Sequence, residues 1–260
     1  EYLLWSGNPK DVKDEFLKEE ELHGNELPYR IGIWRVLAQA ETDSIQKVFW
    51  IEKIKQAFLN KNGTDRLHAI ESLAKLRISP FIEDEQFSRT LDIMDNFEIY
   101  QLWSFAYMSE KQFFISQDSL LKLATSTNNS SFVRATSSYA LKRMGKLSFP
   151  SWTFLAESAL TDVSPAKPNL LNAAIITATD KSSRIDLYDK LWNELISVYK
   201  KENNNNLRTL LLDSFSNGEN GQHSEIIDSI FQEMQDLKDP ESIDVLSTCA
   251  YAICQLTSKN

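Results

Sequence analysis

The sequence predicts an all-α protein whose helices form a repeat, and three observations lead to this fold class. Seven times an aliphatic residue is followed seven positions later by a small one, and the small residues recur every 32 to 38 positions. The chain holds seven Gly and seven Pro among 260 residues, and no proline interrupts an apolar periodic run. Such a recurrence is typical of stacked helical hairpins, in which neighbouring units complete each other's apolar core. The pairs are Ile31/Ala38, Leu67/Ala74, Ile99/Ala106, Val133/Ala140, Leu171/Ala178, Leu207/Ser214 and Ile243/Ala250.

The second helix of each repeat carries these pairs on one face. In the fourth repeat, Val133, Thr136, Ala140 and Met144 share that face at helical spacing. We expect the small residue to let adjacent second helices approach closely, and the seven aliphatic partners to be buried. The residue four positions before the small one is apolar in six of the seven repeats: Trp34, Ile70, Leu102, Thr136, Ala174, Leu210 and Leu246.

The first helices fill the intervals between the second helices. They are predicted at 9–22, 44–60, 84–95, 111–126, 150–160, 183–201 and 222–236. Gly145 is typical of a helix end, and Asn62-Gly63 is typical of a turn ahead of a helix that Thr64 or Asp65 caps. No linker long enough to divide the chain is recognisable, so residues 1–260 are predicted to form one domain.

Composition and charge narrow the classes of function. The chain carries 28 Lys and Arg against 37 Asp and Glu, which gives a net charge of −9, so its field repels phosphate backbones and disfavours nucleic acid as a partner. No stretch approaches the roughly 18 apolar residues that a membrane span needs. Cys249 and Cys254 lie five apart in one predicted helix and point in different directions, so we expect no disulfide between them. The start at Glu1 indicates a processed or trimmed end and leaves the compartment undetermined.

The sequence contains no recognisable arrangement for catalysis, a metal ion or a cofactor. His23, His68 and His223 fall in different repeats without Cys or carboxylate at metal-ligand spacing, and they are predicted to be surface residues. The acidic run at 19–21 is most simply solvated. A Gly-rich phosphate loop, a Gly-x-Ser-x-Gly turn and a Cys/His signature are missing. We therefore predict no catalytic residue, no metal ligand and no cofactor.

The fourth repeat resembles a known family. Val133-Arg134, followed by Ala140-Leu141 and Gly145, looks like the inner helix of the short HEAT repeats that are also found in phycobilisome-lyase-like proteins. The resemblance implies an α-solenoid of about seven HEAT-like hairpins that stack in a right-handed superhelix. It also implies that the second helices line a concave groove.

One row of residues is predicted to form a ridge along that groove. It lies six positions before each small residue and is mostly polar: Gly32, His68, Tyr100, Arg134, Asn172, Arg208 and Asp244. Trp103, Tyr107 and Tyr139 lie beside it in sequence, and aromatic and Arg side chains together are typical of protein-binding hot spots. Tyr100, Trp103, Arg134 and Tyr139 are therefore the predicted partner-binding residues. The competing interpretation is that aromatics at helical spacing belong to the core, to which we assign Trp34, Trp50 and Trp192.

Two functions from different classes follow from this pattern. The first is a noncatalytic binding or scaffold module whose groove holds a protein or peptide partner, with a glycan as another occupant. The alternative is a solenoid enzyme, either a lyase-like chromophore attachment factor or a HEAT-like DNA glycosylase. The missing catalytic residues favour the binding module, and the acidic charge weighs against the glycosylase.

Overall fold

A computed structural model describes residues 9–83, 95–178, 182–201 and 205–217, together with the single positions 232, 245 and 248. Within these residues the chain forms eleven α-helices and no strand, so the predicted all-α class is confirmed. None of the described helices has the length and apolarity needed to cross a membrane. The helices are α1 (Pro9–His23), α2 (Leu27–Ala40), α3 (Ser44–Leu59), α4 (Arg66–Lys75), α5 (Asn96–Phe105), α6 (Glu110–Thr125), α7 (Ser131–Met144), α8 (Phe149–Thr161), α9 (Lys167–Ile176), α10 (Ile185–Lys201) and α11 (Asn205–Asn217).

Five of the predicted first helices form within two residues of their predicted ends. They are α1, α3, α6, α8 and α10, and each is followed by the second helix of the same repeat. The helices predicted at 84–95 and 222–236 fall almost entirely outside the described residues, as do Cys249 and Cys254. Short 3-10 turns, Ala106–Met108 and Ser182–Arg184, follow α5 and precede α10.

The helix ends have local causes in the sequence. The Asp43 carboxylate accepts hydrogen bonds from the backbone N–H groups of Ile45 and Gln46 at the start of α3. Gly145 ends α7 with a φ of 103°, a left-handed conformation that glycine adopts without strain, so the predicted stop is confirmed. Asp65 precedes α4 as predicted, but its side chain makes no capping bond and instead accepts from Arg30 Nε at 2.7 Å.

The chain divides into two compact units, Glu1–Leu120 and Leu121–Asn260. In the first unit, α2 packs against α1, α3 and α4, and α4 also packs against α3 and α5. In the second unit, α9 packs against α7, α8, α10 and α11, and α8 also packs against α10. Within each unit, second helices therefore contact the next second helix along the chain. The expectation of a single domain over residues 1–260 stays a prediction.

The small residues that define the repeat lie in the core. All six that the structure describes are buried: Ala38, Ala74, Ala106, Ala140, Ala178 and Ser214. Among their aliphatic partners, Ile31, Ile99, Val133 and Leu171 are buried, which confirms their predicted orientation. Leu67 is only half-buried, which corrects the expectation for that position. It is the second residue of α4, closer to a helix end than the other four partners. The side chain of Leu207, and the whole of Ile243 and Ala250, lie outside the described residues.

Replacing Ala140 by Trp is expected to destabilise the protein by at least about 1–3 kcal/mol, because the side chain is fully buried and its neighbours must move to admit an indole. Phe132→Trp on the same helix is the matched control, since Phe132 is 57% exposed and already aromatic. Urea melts of both variants measure the difference. Equal midpoints would mean that Ala140 does not lie at a packed helix contact.

Candidate functional site

Tyr100 and Trp103 belong to the first unit, where Trp103 packs into the core. Its side chain is 1% exposed, and its Nε1 donates a hydrogen bond to the Tyr107 hydroxyl at 3.2 Å. The ring of Tyr100, which is half-buried, lies 6.3 Å from the Trp103 ring. Trp103 is therefore a packing residue, as the competing interpretation of the sequence held. Trp34, Trp50 and Trp192 are also buried, in agreement with their assignment to the core.

Arg134 and Tyr139 belong to the second unit, where Arg134 is buried at 3% exposure. Its guanidinium donates to Ala124 O at 3.0 Å and to Ser164 Oγ at 2.9 Å, and it forms a salt bridge with Asp162. The side chain thus joins the end of α6 to the connection between α8 and α9. Tyr139 is half-buried, and Lys142 Nζ lies 5.2 Å from its ring centre.

The Arg134 contacts hold Asp162 in its ionised form. Burial alone would raise the pKa of the Asp162 carboxyl, but hydrogen bonds from Ser164 and Arg134 outweigh burial and hold the pKa below its ordinary value. A charge-assisted pair with further hydrogen bonds to both partners satisfies the polar atoms that the fold buries here. We interpret Arg134 as a structural residue whose contacts join α6 and α7 to the α8–α9 connection of the next repeat.

The predicted ridge is not an exposed row, because Asn172 is also buried within it. Its side-chain amide donates to Leu210 O at 3.0 Å and to Ser214 Oγ at 2.6 Å, so it links α9 to α11. The sequence analysis expected these polar residues to face solvent. The correction has a physical reason: their polar atoms find partners in the neighbouring repeat, and this allows the side chains to be buried. Partner binding by Tyr100, Trp103, Arg134 and Tyr139 stays a prediction, and the burial of two of them removes its main support.

An open groove lies between the two helices of the first hairpin. It has a volume of about 780 Å³ and includes Gly32, the first member of the predicted ridge. Gly32 is exposed, and a Cβ placed on it would meet no atom within 4 Å, so this part of the wall is open. The lining residues are Glu15, Phe16, Glu19, His23, Glu26, Tyr29, Gly32 and Ile33.

The groove combines negative charge with aromatic surface. Three carboxylates line it, two from α1 and the third from Glu26, immediately before α2. Between Glu19 and Glu26 lies His23, whose Nδ1 is 2.9 Å from Glu26 Oε1. The ring of Tyr29 is 59% exposed and lies 6.0 Å from the His23 ring. Carboxylates beside an accessible aromatic ring are groups that attract cations.

A tight turn holds His23 and Glu26 close together. Gly24 donates its backbone N–H to Glu20 O at 2.8 Å, and Glu26 donates its backbone N–H to His23 O at 2.8 Å. A Cβ on Gly24 would lie 2.4 Å from Glu20 O, which is too close for any other residue without movement of the backbone. Glycine at this position therefore allows the turn that brings His23 and Glu26 together.

Sequence reasoning missed this groove. It correctly placed His23 at the surface, but it assigned the acidic run at 19–21 to solvent and did not connect the two. A signal was available: Glu19 is four residues before His23 and Glu26 is three residues after it, and such spacings bring side chains together on a helix or across its end. The contribution of Tyr29 and Gly32 required the packing of α2 against α1.

A second cavity, of about 400 Å³, lies beside α3 and includes Arg30, Trp34 and Lys53. Its cations are already paired. Lys53 Nζ lies 2.6 Å from Glu20 Oε1 and 4.8 Å from the Trp34 ring centre, and Arg30 pairs with Asp65. These contacts stabilise the packing of α1, α2 and α3, and this structural role explains why the charged residues cluster here.

Two carboxyl groups at the start of α5 share a perturbed environment. Asp95 caps the helix, and Glu98 is its third residue, the arrangement of a capping box. Burial and a hydrogen bond with Asp95 raise the pKa of Glu98 to about 7, and the same hydrogen bond lowers the pKa of Asp95. Paired carboxyls can act as acid and base, but the capping geometry gives this pair a structural role. Among the described residues, no three His, Cys, Asp or Glu side chains are placed to hold a metal ion.

Arg134→Ala is expected to lower stability by about 3–5 kcal/mol, because it leaves the buried Asp162 carboxylate without its cation. Arg184→Ala is the control, since Arg184 makes only partly exposed ion pairs with Glu157 and Asp186, and a change below about 1 kcal/mol is expected. Thermal and urea melts compare the two. An Arg134→Ala protein as stable as the control would contradict the structural role of Arg134 between successive repeats.

Glu98→Gln is expected to stabilise the protein relative to the wild type at pH 8.5 but not at pH 5. The folded state keeps the Glu98 proton up to about pH 7, whereas the unfolded chain releases it near the ordinary value. The free energy of unfolding therefore falls as pH rises through that window, and the neutral amide removes this loss. Melts at both pH values measure the effect, with Asp118→Asn at an exposed site as the control. A difference from the wild type that does not change with pH would contradict the Glu98 assignment.

Comparison with protein-family models, with curated proteins and with solved structures found no match to this chain.

Proposed function

We propose that this chain is a noncatalytic binding module, built as an α-solenoid of about seven HEAT-like hairpins in a right-handed superhelix. We further propose that the groove between α1 and α2 binds a basic segment of a protein or peptide partner. The observation that carries this proposal is the groove itself, which places three carboxylates around an accessible tyrosine ring.

The repeat architecture of the proposal is supported by packing within each unit. The small residue at the same position of each described repeat is buried, and second helices contact their successors: α2 with α4, α4 with α5, α7 with α9, and α9 with α11. A stack with one recurring contact grows lengthwise and presents a long surface to partners. Such a surface is suited to holding an extended segment.

The chemistry of the groove favours a cationic occupant. A volume of about 780 Å³ lies within the usual range of ligand-binding clefts and admits a few side chains. Lysine or arginine in the occupant would pair with Glu15 and Glu19, and its charge would be attracted to the face of the Tyr29 ring. Exposed Leu22 and Leu27 lie in sequence at the end of α1 and the start of α2, and they add apolar surface near the turn. Phosphate groups are disfavoured by the same carboxylates.

The lining favours binding over catalysis. Catalytic acids and bases usually lie in sites that exclude water, whereas the three carboxylates of this groove are exposed. His23 pairs with Glu19 and Glu26, and Glu15 pairs with Lys18, an arrangement suited to exchanging one cation for another.

The test is equilibrium binding of a fluorescent arginine-rich peptide, measured by anisotropy at low salt and at physiological salt. Glu15→Gln with Glu19→Gln is expected to weaken binding by about 3- to 10-fold, because two exposed charge pairs are lost. The matched control is Glu110→Gln with Asp118→Asn, which removes the same charge from exposed positions on α6. A glutamate-rich peptide of equal length is the negative probe.

The proposed site would be wrong if the arginine-rich peptide failed to bind, or if the two double variants bound it equally. Equal binding of the acidic and basic peptides would likewise exclude recognition of charge by the groove. Circular dichroism of both variants establishes that a loss of binding does not reflect a loss of helix.

A further inference from the structure

His23 is the last residue of α1, and its two ring nitrogens face two different carboxylates. Nδ1 lies 2.9 Å from Glu26 Oε1, and Nε2 lies 3.9 Å from Glu19 Oε2. The Tyr29 ring on α2 lies 6.0 Å from the His23 ring, and Glu15 on α1 lines the same groove. Lys18 pairs with Glu15 at 2.8 Å and does not line the groove.

The surroundings of His23 favour its charged form. The hydrogen bond to Glu26 raises the pKa of the imidazole above its ordinary value, and the charges of Glu26 and Glu19 act in the same direction against the opposing effect of burial. Histidine is the side chain that ordinarily changes charge near physiological pH. The protonated ring is a cation that the protein itself supplies to the groove carboxylates.

We propose that His23 makes the affinity of the groove for a basic segment depend on pH. At low pH the imidazolium pairs with Glu19 and Glu26, and loss of its proton leaves both carboxylates free to pair with the basic segment of the partner. This inference rests on the proposed function, because it concerns the regulation of the same groove. Three glutamates and His23 are the ionisable lining residues other than Tyr29, so the net charge of the lining is −2 with the ring protonated and −3 with the ring neutral. Affinity for a cationic segment therefore rises with pH.

The first experiment measures Kd of the fluorescent arginine-rich peptide at pH 6.0 and pH 8.5. Arginine keeps its charge throughout this range, so the probe itself does not titrate. The wild-type protein is expected to bind about 2- to 5-fold more tightly at the higher pH, the size of one exposed charge pair. His23→Gln is expected to bring the ratio of the two Kd values close to 1. His68→Gln is the matched control, because His68 is exposed, lies near a single carboxylate and does not line the groove.

A second experiment needs no variant. The ring resonances of His23 are followed by NMR as pH is raised, with and without the peptide. Because coupling between two binding events is reciprocal, a peptide that binds the deprotonated form more tightly must lower the pKa of His23. An unchanged pKa in the bound protein would overturn the inference.

The outcomes distinguish the two proposals. Absence of peptide binding at either pH would reject the proposed function and this inference with it. Binding with the same Kd at both pH values would overturn the inference alone, as would a pH dependence that His23→Gln retains.

Discussion

Close packing of successive second helices is the constraint on which the rest of each unit depends. Helices approach one another only where the side chain between them is small, and every small residue of the repeat that the structure describes is buried, from Ala38 to Ser214. Ser214 is the polar member of this set, and it is buried like the alanines. Its hydroxyl accepts a hydrogen bond from Asn172 and donates one to Leu210 O, so the polar group is satisfied where the other repeats carry a methyl group.

Polar side chains join the repeats in a way that depends on this packing. In the second unit, Arg134 reaches the connection between α8 and α9, and Asn172 reaches α11. In the first unit, Arg30 on α2 reaches Asp65 just before α4. In each case a polar group on one second helix binds the connection or second helix of the next repeat. Because burial makes an unmatched polar atom costly, these bonds favour one alignment of neighbouring repeats over others.

The groove of the first hairpin lies between α1 and α2, beside the short turn that joins them. Gly24 permits the turn, and Gly32 leaves space in the groove that the side chain of a larger residue would fill. Two of the three carboxylates belong to α1, which also carries Glu20 into the Lys53 and Trp34 cluster. One helix thus contributes an ion pair to the packing of α1, α2 and α3 and also two carboxylates to the groove.

The sequence by itself determined the helical class, the bounds of five of the eleven described helices to within two residues, and the core position of each described small residue. The aliphatic and small residues recur with the period of a helical hairpin, and the side of each helix that packs into the core has to be apolar. Only the tertiary structure decided which polar residues face solvent. Arg134 and Asn172 look like surface residues in the sequence, but partners more than 25 positions away allow their burial. The groove between α1 and α2 also required the tertiary structure, because its shape comes from two helices and a turn, and no single helix pattern contains that geometry.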